Sequence, residues 1–151
     1  ILGMYNYKAL DIAKYVVTYC FKKEHPVSNL QLQKILYYIQ GYSFAARDKE
    51  AFGEEILAWQ YGPVVREVYD FFSMYAAMPI ENSYSVEIRD REFEQMIQVI
   101  TLNKIMQPVW KVVEQTHREA PWKYTTELFG MGSVIPKEYI RRYFKEKYGN
   151  I

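Results

Sequence analysis

From Tyr7 to Phe44 apolar residues return every three or four positions, with one break at His25-Pro26. That rhythm commits the start of the chain to two packed helices. Leu10, Ala13, Val17 and Phe21 share one stripe, and Ile12, Val16 and Cys20 widen it. The first helix, about Tyr7 to Lys23, therefore packs on more than one side. Proline disfavours a helical residue before it, so His25-Pro26 closes this helix, and His25 reads as a solvent-facing loop histidine. Ser28, with Gln31 three residues on, has the form of a capping box and opens the second helix. Leu32, Ile35, Leu36 and Ile39 form its apolar stripe. Gln33, Tyr37, Gln40 and Phe44 run beside it as a mixed polar and aromatic stripe. Gly41 costs a helix interior roughly 1 kcal/mol relative to Ala, and a close helix crossing would account for it.

Beyond Phe44 the periodicity weakens. Ile56 to Tyr61 reads as a short strand or an extended packed segment, ended by Gly62-Pro63. Pro63 suits the first position of a third helix, where its missing N–H is no loss. That helix is expected to run to about Tyr75, with Val64, Val68, Phe71, Phe72 and Tyr75 along it. Met78 to Ser85 reads as a loop. Asp90 caps a fourth helix whose apolar face carries Phe93, Met96, Ile97, Ile100 and Ile105. Pro108 is expected to kink or restart it, and Val109, Val112 and Val113 carry on to about His117. Ala120-Pro121-Trp122 marks a turn, and Gly130-Met131-Gly132 a hinge. Pro136 starts the last helix, with Tyr139, Ile140, Tyr143 and Phe144 inward and Arg141, Arg142, Lys145 and Lys147 on a basic side. The expected fold is mainly α: a single compact domain of five to seven helices, with a short β element near 55–61 where the strand reading holds. Met4 reads as the native start. Ile1-Leu2-Gly3 would then be left over from expression, and 4–151 would form one domain.

Composition narrows the function. A length of 151 residues suits one domain with a substantial core. The net charge of +1 gives no global pull toward nucleic acid or an acidic membrane. One cysteine, Cys20, allows no internal disulfide and no thiolate cluster, which suits the cytoplasm. No apolar run approaches a membrane span, and no secretory signal is read at the N-terminus. Tyrosine is abundant, at 15 copies, and its apolar ring with a polar tip serves helix packing and partner surfaces alike.

Catalytic patterns are mostly missing. The chain lacks a dinucleotide fingerprint, a phosphate loop, a nucleophile elbow and any metal-ligand spacing, so neither an enzyme nor a cofactor or metal is expected. Glu54-Glu55 reads as a solvated acidic pair. Thr116-His117-Arg118-Glu119 is the best remaining candidate, because Glu119 could orient His117. No nucleophile stands beside it. A helix-end histidine bonded to a backbone carbonyl is the plainer reading of His117, with a switch or partner contact as the alternative. The second helix also faintly resembles the latter half of a helix-turn-helix, with Gln31, Gln33, Lys34 and Gln40 as base-reading candidates. A DNA-binding regulator is therefore the alternative function, with the basic last helix gripping phosphates.

Several runs together resemble the phage-associated Panacea domain family, which includes the Soc-type antitoxin. They are Ala9 to Tyr15, Ser28 to Tyr38 closed by Gln40-Gly41, and Glu54-Glu55-Ile56 through Trp59-Gln60-Tyr61-Gly62-Pro63-Val64-Val65 to Val68-Tyr69. Thr116 to Trp122 and Ile135 to Phe144 match more weakly. Arg66-Glu67 stands where that family often has Pro-Glu, and Leu102 to Glu114 is a compressed version of its pattern. The resemblance implies an antitoxin of a prophage or mobile-element toxin–antitoxin system. Its partners would be a protein toxin encoded nearby and, for an adaptor, a cytoplasmic protease.

Two readings of the shared residues stand side by side. In the structural one, buried Trp59, conformationally free Gly62 and helix-starting Pro63 pin a bend against the second helix. Gln33 and Gln40 then satisfy the backbone of that bend, with Gly41, His117 and Trp122 belonging to the same motif. In the functional one, Tyr37, Trp59, Tyr61 and Tyr69 line an aromatic groove with Lys34 at its rim, a composition typical of binding hot spots.

Overall fold

A computed structural model describes residues 7–149. The proposed leftover at residues 1–3 and the start at Met4 lie outside the described residues. Within them are seven α-helices and one two-stranded sheet. The helices are α1 (Ala9–Lys22), α2 (Asn29–Arg47), α3 (Arg66–Phe71), α4 (Arg91–Ile105), α5 (Val109–Arg118), α6 (Ala120–Phe129) and α7 (Lys137–Tyr148). Strands β1 (Leu57–Trp59) and β2 (Gly62–Val64) form a hairpin between α2 and α3.

Helix α2 is the axis of the fold, packed against α1, α3, α4, α5, α7 and β2. Its capping box forms as its sequence predicts: Ser28 Oγ accepts from the Gln31 N–H, and Gln31 Oε1 accepts from the Ser28 N–H. Burial runs round its circumference, from Leu32 and Ile39 to Gln33, Lys34, Tyr37 and Gln40. The mixed stripe beside the aliphatic one is thus interior too. Gly41 is the crossing point with α7, where a Cβ would overlap the Phe144 ring. That ring meets Tyr37, Tyr38 and Tyr42 edge-on, at centroid distances of 5.4–6.0 Å.

Four sequence expectations are corrected. Phe21 is 41% exposed, because the core-facing arc of α1 is carried by Ile12, Ala13, Val16, Val17 and Cys20. Pro63 does not start a helix. It lies in β2 opposite Ala58, and the third helix begins at Arg66 and ends at Phe71. The cause is Gly62, whose φ of +109° turns the chain back on itself after Gln60-Tyr61. A proline φ is compatible with the extended strand that follows, and short edge strands tolerate its missing donor. Finally, Ala120-Pro121-Trp122 is the first turn of a separate helix, α6, where proline is tolerated. The break lies one residue earlier, at the extended Glu119.

Pro108 does restart the helix, as the residue before α5. Gly130 and Gly132, both at positive φ, form a bonded turn. Gly132 N–H donates to Ala58 O and Ile135 N–H to Ile56 O, so residues 132–135 lie along β1. The basic side of α7 is partly neutralised, because Arg141 and Lys145 both reach Asp48.

Candidate functional site

The hairpin is held from behind by side chains of α2. Gln33 Oε1 accepts from the Val65 N–H at 2.9 Å, and its amide donates to Asn29 Oδ1 at 2.9 Å. Asn29 in turn donates to Tyr69 O at 3.1 Å. At the next residue after Gln33, Lys34 Nζ donates to Pro63 O at 2.8 Å. A Cβ on Gly62 would sit 2.8 Å from Lys34 Cε and equally close to Thr116 Oγ1, so glycine is required for approach as well as for φ. From the other side, Trp122 Nε1 donates to Trp59 O at 2.9 Å. His117 stacks on the Trp122 ring, with centroids 4.1 Å apart.

Gln33 therefore satisfies the bend as expected, but Gln40 does not. Gln40 Oε1 accepts from the N–H groups of Ala51 and Phe52, and its amide donates to Phe52 O. It fixes the return segment after α2, eleven to twelve residues on.

A second buried network lies under α5 and α6. Glu119 accepts from Tyr37 Oη at 2.8 Å, Tyr38 Oη at 3.0 Å and Gln115 Nε2 at 3.2 Å. The sequence reading gave Glu119 the task of orienting His117; instead its carboxylate turns inward to the tyrosines. The tyrosine partners lie more than 80 residues away, so nothing local in the sequence pointed to them.

Burial sets the electrostatics here. It pushes the Lys34 ammonium down from 10.5 to about 7 and the Glu119 carboxyl upward against the pull of its three donors. Burial also lowers the His117 imidazole; the Gln60 backbone opposes that shift, and the Lys34 charge adds to it. His117 Nε2 is buried without a hydrogen-bond partner.

The aromatic groove takes a different shape from the one expected. Tyr37 and Lys34 are 0% and 1% exposed, Lys34 beneath the hairpin and Tyr37 against Glu119 and Phe144, so neither can line a groove or stand at its rim. Lys34 is drawn inside because the Pro63 carbonyl, turned inward by the hairpin, needs a donor. At the surface stand Tyr61, 49% exposed, and Tyr69, with half-buried Trp59 against Tyr69 at 4.9 Å. Sequence reasoning missed Trp110 on α5, which is 56% exposed and meets Tyr61 edge-on at 5.3 Å. Arg66 lies 6.0 Å from the Trp59 ring centroid. The hairpin thus carries two aromatic pairs, Tyr61–Trp110 and Trp59–Tyr69, over a hydrogen-bonded base.

Three of the four base-reading candidates are not available to DNA, and the fourth, half-buried Gln31, is engaged in the capping box. Gln33, Lys34 and Gln40 are enclosed by neighbouring helices, because α2 is the core helix. A recognition helix must leave one face free for a groove.

Among the described residues no helix is long and apolar enough to cross a membrane. The family model for the antitoxin SocA-like, Panacea domain matches residues 32–123, which run from α2 through the hairpin to α6. No curated protein and no solved structure matches the chain.

Proposed function

The chain belongs to the antitoxin SocA-like, Panacea domain family, and from that premise we propose that it neutralises a protein toxin encoded nearby by binding it directly. A prophage or mobile element would be its genetic setting and the cytoplasm its compartment. Delivery of the toxin to a protease is a further task that such a binding domain could serve. Membership in an antitoxin family also favours a non-catalytic role.

The observation that carries the reading is the exposed aromatic pair Tyr61 and Trp110, with Trp59 of the same hairpin packed on Tyr69. Aromatic side chains bury much area at little entropic cost and dominate protein interfaces. The clasp beneath them holds the hairpin ready, which lowers the ordering cost of binding.

The test is to express the adjacent gene alone and together with this one. Growth arrest by the neighbour, relieved by co-production, is the expected result. A harmless neighbour, or one that stays toxic, overturns the reading. Tyr61→Ala should weaken the complex by at least about tenfold, the scale of an interface hot spot, while the circular dichroism spectrum stays unchanged. An unfolded variant would instead make Tyr61 part of the scaffold.

A further inference from the structure

A second surface, away from the hairpin, lies where α4 crosses α2. Tyr42 and Ala46 of α2 and Met96, Val99 and Ile100 of α4 line a groove of about 570 Å³, with Lys104 at one end. Val99 is 67% exposed, and Leu102 and Met106 extend an apolar stripe from it at helical spacing.

Lys104 is what distinguishes this groove from an ordinary apolar surface. The residue is 93% buried, being 7% exposed, and its ammonium lies over the Tyr38 ring at 3.8 Å from the centroid. Among the described residues it makes neither a hydrogen bond nor an ion pair. The carboxylate whose charge acts on it is Glu119, whose oxygens are already taken by Tyr37, Tyr38 and Gln115. The ammonium tip reaches solvent, its described protein contact is a π face, and its other charged neighbour, Lys147, is also a cation, so it retains capacity for an anion. At the opposite end of the groove stands Glu92, in the first turn of α4. Twelve residues of helix separate the two charges, about 18 Å at 1.5 Å per residue.

We propose that this groove docks an amphipathic helix of a partner protein, with a carboxylate of that helix seated on Lys104. Apolar residues at i, i+3, i+4 and i+7 would fill the trough between Tyr42 and Val99. The 18 Å span asks for at least three turns, and Glu92 favours a basic residue at the far end. The proposal rests on the protein-binding reading in taking a protein segment as occupant. Its test needs no toxin, so the two fail separately.

The probe is a fluorescein-labelled peptide about sixteen residues long, with leucines at that spacing, glutamates near one end and a lysine near the other. A twin carries lysine in place of the glutamates. Titration by fluorescence anisotropy should show the acidic peptide binding about tenfold more tightly than its twin. The difference should vanish in Lys104→Met, and Val99→Glu should abolish binding of both. Both variants should keep the wild-type circular dichroism spectrum, since Val99 is exposed and methionine retains the stem of Lys104. Three outcomes overturn the proposal: neither peptide binds at about 100 µM, the preference for the acidic peptide survives in Lys104→Met, or Val99→Glu binds as wild type does.

Discussion

Lys34 shows how a single residue can serve a fold and tax it together. Its ammonium has one protein acceptor, the Pro63 carbonyl, and no water-facing surface. Below pH 7 the amine is protonated in the folded and unfolded chain alike, so the cost of burying the charge is fully present. Between about 7 and 10.5 the unfolded chain holds the proton and the folded chain does not, so stability rises with pH across that window. From pH 7 to 9 the gain should be about 2 kcal/mol, since one proton is worth about 1.4 kcal/mol per pH unit. Lys34→Met should lack this rise, as read by urea denaturation of both proteins at the two pH values. His117, within electrostatic reach of Lys34, titrates below this range, its imidazole being lowered by burial. Above pH 9 the Cys20 thiol, raised by burial to about 12, and the raised tyrosines 37 and 38 act in the opposite direction. None of this was legible in the sequence. A lysine in the polar stripe of a helix looks like a rim residue until the carbonyl that captures it is brought from 29 residues away.

Elements repeat the lesson in both directions. The start of α2 was legible because a capping box is local: Ser28 and Gln31 carry the whole signal within one turn. The crossing at Gly41 was legible too, since a glycine inside a strong helix needs a packing reason. Alanine there would gain about 1 kcal/mol of helix propensity, yet its Cβ would overlap the Phe144 ring, which five neighbouring tyrosines hold in place. Overpacking of this kind costs about 1–3 kcal/mol. Gly41→Ala should therefore destabilise the protein to urea, and Phe144→Leu in the same chain should return part of the loss. The β2 strand and α6 were not legible, and for one shared reason. Proline tolerates both an extended strand and a helix start, so Pro63 and Pro121 each fit two local structures. Gly62 and the inward Pro63 carbonyl decided the first case, and the extended Glu119, pulled toward Tyr37 and Tyr38, decided the second.

At the scale of the molecule, the residues that match the family model do not make a closed core. Helices α1 and α7 lie outside 32–123, yet both pack on α2. Removing α7 uncovers Phe144's partners Tyr37 and Tyr38, whose rings are otherwise fully buried. A fragment of residues 32–123 should therefore lack a cooperative urea transition and bind a hydrophobic dye, whereas 7–149 should unfold in one step. A cooperative 32–123 fragment would show that α7 is an accessory. The two surfaces described above both depend on the central helix. The hairpin rests on Asn29, Gln33 and Lys34, and the α4 groove on Tyr42 and Ala46.

The position of α7 against α2 also has a consequence for how the protein is born. The start of α7 at Lys137 lies 90 positions after the end of α2 at Arg47. At about 5–20 residues per second, the ribosome needs roughly 5–18 s to travel that distance. Through that interval Tyr37, Tyr38 and Tyr42 wait without the Phe144 ring that covers them, and the nascent chain presents the uncovered face of its central helix to chaperones and to its neighbours on the polysome.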